Sequence, residues 1–176
     1  MRKAIVYIAN SLDGYIARPD GGIDWLSLAE LPGEDYGYAT FYAEVDTVLM
    51  GRKTYDTVIA MGIPFPHADK TTYILSHSLK EDKGLLRFYS GNPGDLIREI
   101  KQSPGGNIFI DGGSEVIAQL LETDAIDEWV ISTLPVLLGQ GISLLKPGGY
   151  ERKLELVSVK AFESGLVQHH YRKYAG

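Results

Sequence analysis

Two glycine turns carry the residues of this chain whose types and spacing suit chemistry. The first is Gly112-Gly113, where the apolar run Asn107-Ile108-Phe109-Ile110-Asp111 meets a helical pattern opening with Ser114-Glu115-Val116. A strand entering a helix through two glycines aims backbone N–H groups and the positive helix end at one place, which suits a phosphate or pyrophosphate. The second is Gly51-Arg52-Lys53-Thr54, after Thr47-Val48-Leu49-Met50, which adds two cations and a hydroxyl at another helix start. Two anion-friendly helix starts suit a long ligand with phosphates, and a dinucleotide is the economical expectation. On these residues alone the plain alternative stays open: tight glycine turns, with Arg52 and Lys53 as a solvated, salt-bridged helix start.

Carboxylates come next. Asp35 stands three before Tyr38, at the head of an apolar stripe Tyr38, Phe41, Tyr42 and Val45. It is either a solvated first-turn acid favoured by the helix dipole or a group that handles a proton. Asp13 precedes Gly14 and is open to a turn-forming reading as well.

Other chemistries fall away. The chain has no cysteine, which excludes disulfides, thiolate metal sites and thiol nucleophiles. There is no G-x-S-x-G elbow, and the lysine of Gly51-Arg52-Lys53-Thr54 is separated from its glycine, unlike a P-loop. His169 and His170 are adjacent in an expected strand, so they point to opposite faces and cannot grip one ion. With 17 Lys+Arg against 23 Asp+Glu the net charge is −6. No basic stripe offers counterion release, so nucleic acid is not an expected partner. No apolar run is long enough to cross a bilayer, and a cytoplasmic protein is expected.

The elements that must position these turns follow from periodicity. Short apolar strands are expected over 4–9, 47–50, 72–75, 85–89, 107–111 and 128–134. Helical patterns fall over 34–45, 52–60, 94–102 and 114–122. Residues 10–25 form a long loop directly after the first strand, a common place for function, and 137–145 is broken by glycines. Residues 154–162 and 167–174, parted by Ser164-Gly165, read as a hairpin. Alternating strands and helices closed by an antiparallel pair predict one α/β domain over 1–176. Its architecture is three-layer α/β/α, with a mixed, mainly parallel central sheet. Ligands in such sheets lie at the carboxyl ends of strands, where both glycine turns fall.

Taken in order, Ser11-Leu12-Asp13-Gly14-Tyr15-Ile16-Ala17, Asp24-Trp25, Val48-Leu49-Met50-Gly51-Arg52-Lys53-Thr54 and Ile110-Asp111-Gly112-Gly113 resemble the dihydrofolate reductase superfamily. Leu134-Pro135-Val136-Leu137-Leu138-Gly139-Gln140-Gly141 and the final hairpin with Tyr171-Arg172 are similar to one branch of it. That branch is the reductase domain of the bifunctional riboflavin-biosynthesis deaminase-reductase, the RibD C-terminal domain.

The resemblance implies a dihydrofolate reductase-like fold and NADPH as cofactor. On it, Gly51, Arg52, Lys53 and Thr54 would hold phosphates, with Arg52 nearest the adenosine side, and Ser76 and His77 would flank the adenosine. Gly112, Gly113, Ser114 and Glu115 would wrap the pyrophosphate, while Ala9, Ile16 and Ala17 would face the nicotinamide. Asp35 would be the active-site carboxylate, buried so that its pKa rises. Asp13, Trp25 and Asp35 would stand on the substrate side. The implied reaction is hydride transfer to a small heterocyclic or sugar-phosphate substrate, most like 5-amino-6-(5-phosphoribosylamino)uracil. Reduction of dihydrofolate is the alternative within the enzyme class, and an NADPH-binding protein without turnover is the alternative outside it. Related reductase domains are commonly homodimers.

Overall fold

The computed structural model describes residues 1–78 and 80–174. Its first strand, β1 (Ala4–Ser11), lies inside an eight-stranded sheet with β3 (Val45–Gly51), β4 (Thr71–Leu75), β5 (Leu86–Tyr89), β6 (Asn107–Gly112), β7 (Glu128–Leu134), β9 (Leu154–Ala161) and β10 (Val167–Lys173). The order across the sheet is β5-β4-β3-β6-β1-β7-β10-β9. Every neighbour from β5 to β7 is parallel, and β10 joins β7 and β9 antiparallel. The expected mixed, mainly parallel sheet with a closing hairpin is therefore present.

Strand period 2 sorts the two faces. Ala4, Val6, Leu49, Ile108 and Ile110 meet α3 (Pro93–Lys101) and α4 (Ser114–Glu122) on one face, through Leu96, Ile97, Val116, Ile117 and Leu120. Each of the buried Val, Leu and Ile side chains among them contributes about 1.5–3 kcal/mol relative to exposure. On the opposite face Tyr7, Val48 and Phe109 meet Phe41 and Tyr42 of α1 (Tyr38–Ala43). Helices on both faces give the three layers. The remaining helix, α2 (Arg52–Ala60), connects β3 to β4.

Two segments depart from the periodicity reading. The helix expected over 34–45 is confined to Tyr38–Ala43, and Val45 already begins β3. Tyr36 (φ 58°) and Gly37 (φ 84°) are both left-handed, a conformation no right-handed helix contains, so the helix cannot start before Tyr38. Its approach is tied to the sheet by a buried polar knot. The Tyr7 hydroxyl donates to the Tyr36 carbonyl at 2.7 Å, and Gln168 Nε2 shares its two hydrogens among Tyr7 Oη, the Tyr36 carbonyl and Ser132 Oγ, each at 3.1 Å.

The loop expected over 10–25 also contains structure. It holds the three-residue strand β2 (Tyr15–Ala17), paired with the two-residue β8 (Ile142–Ser143), and its last two residues begin a 3-10 helix over Asp24–Ala29. Pieces this short carry no readable period. The glycine-broken stretch 137–145 thus serves as the partner of the loop after β1.

Candidate active site

Register along the carboxyl edge of the sheet brings the two glycine turns together. Gly51 pairs with Leu75, and Met50 pairs with Gly112 across a bulge. The starts of α2 and α4 therefore sit side by side, with Ser76 one residue beyond. A Cβ on Gly51 would lie 3.2 Å from Val116 Cγ2 and 3.8 Å from the Gly113 nitrogen. A Cβ on Gly113 would lie 3.4 Å from Thr54 Oγ1, and one on Gly112 would lie 3.6 Å from Ile8 Cδ1. Gly112 also holds φ at 104°, a conformation L side chains rarely adopt, and the Gly112–Gly113 peptide is cis.

Neither helix has a side-chain cap. The first N–H groups of a helix lack intrahelical acceptors, so two sets of donors converge on one glycine-lined slot. Lys53 and Lys146 add positive charge. Lys146 pairs with Glu115 and holds its carboxyl below the usual range, with a smaller contribution from Lys53. The donor set suits a pyrophosphate.

Of the residues expected here, the structure gathers Gly51, Arg52, Lys53, Thr54, Ser76, Gly112, Gly113 and Ser114 along this edge, with Ala9 beyond Ile8 on β1. Arg52 gives its Nε to both Asp56 oxygens at 2.8 Å. Ser76 Oγ donates to the Ser78 carbonyl at 2.8 Å, and His77 is exposed. Glu115 sits at the α4 start with its carboxylate committed to Lys146. Ile16 packs on the main core and Ala17 is buried. Both belong to the β2–β8 flap.

The three acid and aromatic candidates have other work. Asp35 is exposed, not buried. Its two oxygens accept the N–H groups of Gly37 at 2.8 Å and Ala39 at 3.0 Å, and these bonds hold its carboxyl below the usual range instead of raising it. The expected buried proton carrier is thus an ionised cap on α1. Trp25 is 3% exposed and packs with Ala29, Leu134 and Leu166, so its ring is core and not an open wall. Its Nε1 has no hydrogen-bond partner among the described residues.

Asp13 accepts the Ser11 hydroxyl at 2.6 Å and the N–H groups of Leu138 at 3.1 Å and Gly139 at 2.7 Å. It ties the loop after β1 to the loop after β7. These donors, the Ser11 hydroxyl first, hold its carboxyl below the usual range. Since the folded value is depressed, the tether is complete above the ordinary Asp range near pH ~3.9 and is lost as pH falls through the lowered value. Amide-exchange protection at Leu138 and Gly139 is expected to persist at neutral pH and to fall in acid. Asp13→Asn should lose that protection at neutral pH, and unchanged protection in the variant would dismiss the tether.

Four residues outside the sequence expectations gather near the carboxyl end of β6: Asp111, His67, Tyr38 and Tyr42. Asp111 is the last but one residue of β6, in phase with Phe109, and directly precedes Gly112. Its Oδ2 lies 3.6 Å from His67 Nε2, with His67 4% exposed and the Asp111 side chain 24% exposed. His67 Nδ1 is 3.2 Å from Tyr42 Oη, which donates to Asp69 Oδ1 at 2.9 Å. Tyr38 stacks on Tyr42 at 5.5 Å, and its hydroxyl is pushed up to about 12 by burial and then by the negative charge of Asp111. Burial, the Asp69 hydrogen bond and the Asp69 charge push Tyr42 up as well. One sequence signal pointed here: strand alternation puts Asp111 in phase with buried Phe109, where a solvated acid does not belong.

Two surface cavities, of about 510 Å³ and 400 Å³, lie at Leu26–Tyr36 and around Trp129, and neither is lined by Gly51, Gly112 or Gly113. Among the described residues no group of three or more His, Asp or Glu could hold a metal ion, and no helix is long and apolar enough to cross a membrane.

The RibD C-terminal domain family matches residues 2–168. The chain is 42% identical to the uncharacterized protein YwjB of Bacillus subtilis (strain 168) over 174 residues, which is 97% of this chain and 98% of that one. Among solved structures, a putative riboflavin biosynthesis protein from Shewanella sp. PV-4 superimposes with a TM-score of 0.88 at 31% identity, covering 98% and 99% of the two chains. The Thermotoga maritima diaminohydroxyphosphoribosylaminopyrimidine deaminase/5-amino-6-(5-phosphoribosylamino)uracil reductase superimposes with a TM-score of 0.71 at 15% identity. This chain covers 57% of it, and at that identity the likeness is one of fold.

Proposed function

As the chain belongs to the RibD C-terminal domain family, we propose that it is an NADPH-dependent reductase of a small heterocyclic or sugar-phosphate substrate. The nearest model for that substrate is 5-amino-6-(5-phosphoribosylamino)uracil. The observation that carries this reading is the meeting of two uncapped helix starts on one glycine-lined slot. A reduced nicotinamide, when bound, supplies the hydride. The protein supplies position and field.

The roles of the chain's own residues follow from their places. Backbone N–H groups at Thr54 and at Ser114 and Glu115 would take phosphate oxygens, with Lys53 and Lys146 balancing their charge. Arg52 spends its Nε on Asp56, and its terminal nitrogens would meet the adenosine-side phosphate that distinguishes NADPH from NADH. The β2–β8 flap, tethered by Asp13, would cover the nicotinamide end and exclude water.

NADPH is expected to raise the melting temperature more than NADH does, because only it carries the extra phosphate. Equal or absent shifts would remove the cofactor assignment. Consumption of NADPH with 5-amino-6-(5-phosphoribosylamino)uracil is the expected activity. Turnover of dihydrofolate alone would move the substrate to the pterins, and tight NADPH binding with neither substrate consumed would favour a binding protein. The exposed, ionised Asp35 is the observation that favours that second reading. On the enzyme reading, Asp35→Asn is expected to keep turnover, since the structure gives this acid a capping task.

A further inference from the structure

We propose that the free edge of β9 pairs with β9 of a second copy of this chain, antiparallel about a two-fold axis between Val157 and Ser158. Two eight-stranded sheets then become one. The inference stands apart from the reductase reading, because β1, β7 and β10 lie between β9 and the glycine turn of β6.

β9 is the last strand of its sheet, with β10 on one side and, among the described residues, no strand on the other. It is eight residues long and contains no proline. Leu156 and Val159 are 54% and 51% exposed, and Leu154 and Val157 are exposed as well. A long apolar edge with bare N–H and C=O groups is a template for another strand. The opposite edge, β5, is only four residues long, and all four are partly buried.

Two hydrogen bonds fix which residues of β9 offer those groups. Phe162 N–H donates to the Leu166 carbonyl at 2.9 Å, so by alternation Lys160 and Ser158 also face β10. Lys173 N–H donates to the Asp127 carbonyl at 2.8 Å, so Lys173 and Tyr171 face β7 and Arg172 faces β9. Arg172 stands opposite Glu155, and the register shift between His170 and Tyr171 gives β9 one extra residue, Val157. Glu155, Ser158 and Lys160 therefore bond inward, while Leu154, Leu156, Val159 and Ala161 present their backbone groups outward. The side chains of these four share one face, since they stand opposite Lys173, Tyr171, His169 and Val167.

The bulge makes this edge complementary to itself. It sets the outward residues symmetrically about the point between Val157 and Ser158, a symmetry that strict alternation over eight residues lacks. Turned by the two-fold, Leu154 meets the second copy's Ala161 and Leu156 meets its Val159, each pair exchanging two main-chain hydrogen bonds. On the other face the same register sets Glu155, which already holds Arg172, beside the second copy's Lys160. Opposite charges facing each other across strands stabilise, and like charges repel. Sliding the copies to centre on Lys160, or on Glu155, keeps only two of the four outward pairs and sets like charges together. In the proposed register every outward residue is used once, so the contact closes at two copies.

The test measures the size of the full chain in solution by sedimentation, together with amide exchange. A dimer is expected at micromolar concentration, with the Leu156 and Val159 amides protected in it and losing protection on dilution. Lys160→Glu sets glutamates together twice across the axis and is expected to weaken the dimer about tenfold. Glu155→Lys should do the same with lysines, and mixing the two variants should restore the natural affinity, since every facing pair is again opposite in charge. Val159→Pro removes an outward donor that no bond within the sheet uses, so its melting temperature should hold while the dimer is lost. A chain that stays monomeric, its edge bare or open to a strand of another protein, overturns the proposal. So does a dimer whose Leu156 and Val159 amides exchange freely, or one indifferent to Val159→Pro. Charge reversals without effect, or a mixture no tighter than its components, overturn the register.

Discussion

Gly113→Ala is expected to weaken NADPH binding by about ten- to a hundredfold while leaving the unliganded protein folded. Gly113 has φ −81° and ψ −162°, an extended conformation open to any L residue. Its new Cβ would stand 3.4 Å from Thr54 Oγ1, an ordinary contact. The methyl would nevertheless occupy the slot between the two helix starts. A phosphate oxygen must come within about 2.9 Å of a backbone nitrogen to bond to it, and a methyl in the slot holds it off. Losing one charge-assisted hydrogen bond costs about 1.5–3 kcal/mol, and each 1.4 kcal/mol is about tenfold. In melting experiments with ligand at a hundred times its Kd for the natural protein, the stabilisation is about 2.7 kcal/mol. After a hundredfold loss it falls to about 0.4 kcal/mol by the same relation. For a chain of this size the difference is roughly 5–9 °C in Tm. An unchanged NADPH shift in Gly113→Ala would place the pyrophosphate elsewhere.

The second large effect belongs to the flap. Gly141→Ala is expected to destabilise the protein by about 1–3 kcal/mol and to cut turnover by more than its effect on NADPH affinity. A Cβ at Gly141 would lie 2.3 Å from the Ala17 carbonyl oxygen and 3.2 Å from the Tyr15 side chain. The close neighbour is backbone and cannot swing aside, so β2 must part from β8. The bond from Leu144 N–H to the Gly14 carbonyl, 2.9 Å in the structure, would open with them. Faster amide exchange at Leu144 is the local readout. Retained protection there would show that the flap absorbs the methyl and would remove the steric argument.

These two sites also mark how far the sequence could be read. Gly113 was legible because the strand and helix it joins are long enough to show their periods, and β7 over Glu128–Leu134 was readable to the residue for the same reason. Gly141 was recognisable only through resemblance. The two- and three-residue strands it joins have no period, and its need to be glycine comes from Ala17, far away in the chain. The short α1 was misjudged because Tyr36 and Gly37 break the helix by backbone conformation, to which an apolar stripe is blind. Asp35 sat at the expected place in the chain, but burial is a tertiary property and went the other way. His67 and Asp111 stand 44 positions apart in the sequence and meet through the loop before β4, so no local pattern joins them.

The place of β1 in the sheet has a consequence for synthesis. Its two neighbours are β6 and β7, the latter ending at Leu134. As the chain leaves the ribosome, β1 emerges with both edges bare and stays so until β6 and β7 have been made. At ordinary elongation rates that interval is on the order of ten seconds. Meanwhile β3, β4 and β5 can pair with each other, leaving a gap at β6. The nascent protein therefore carries an apolar strand that chaperones are equipped to hold, and its sheet is completed only once β6 and β7 have emerged.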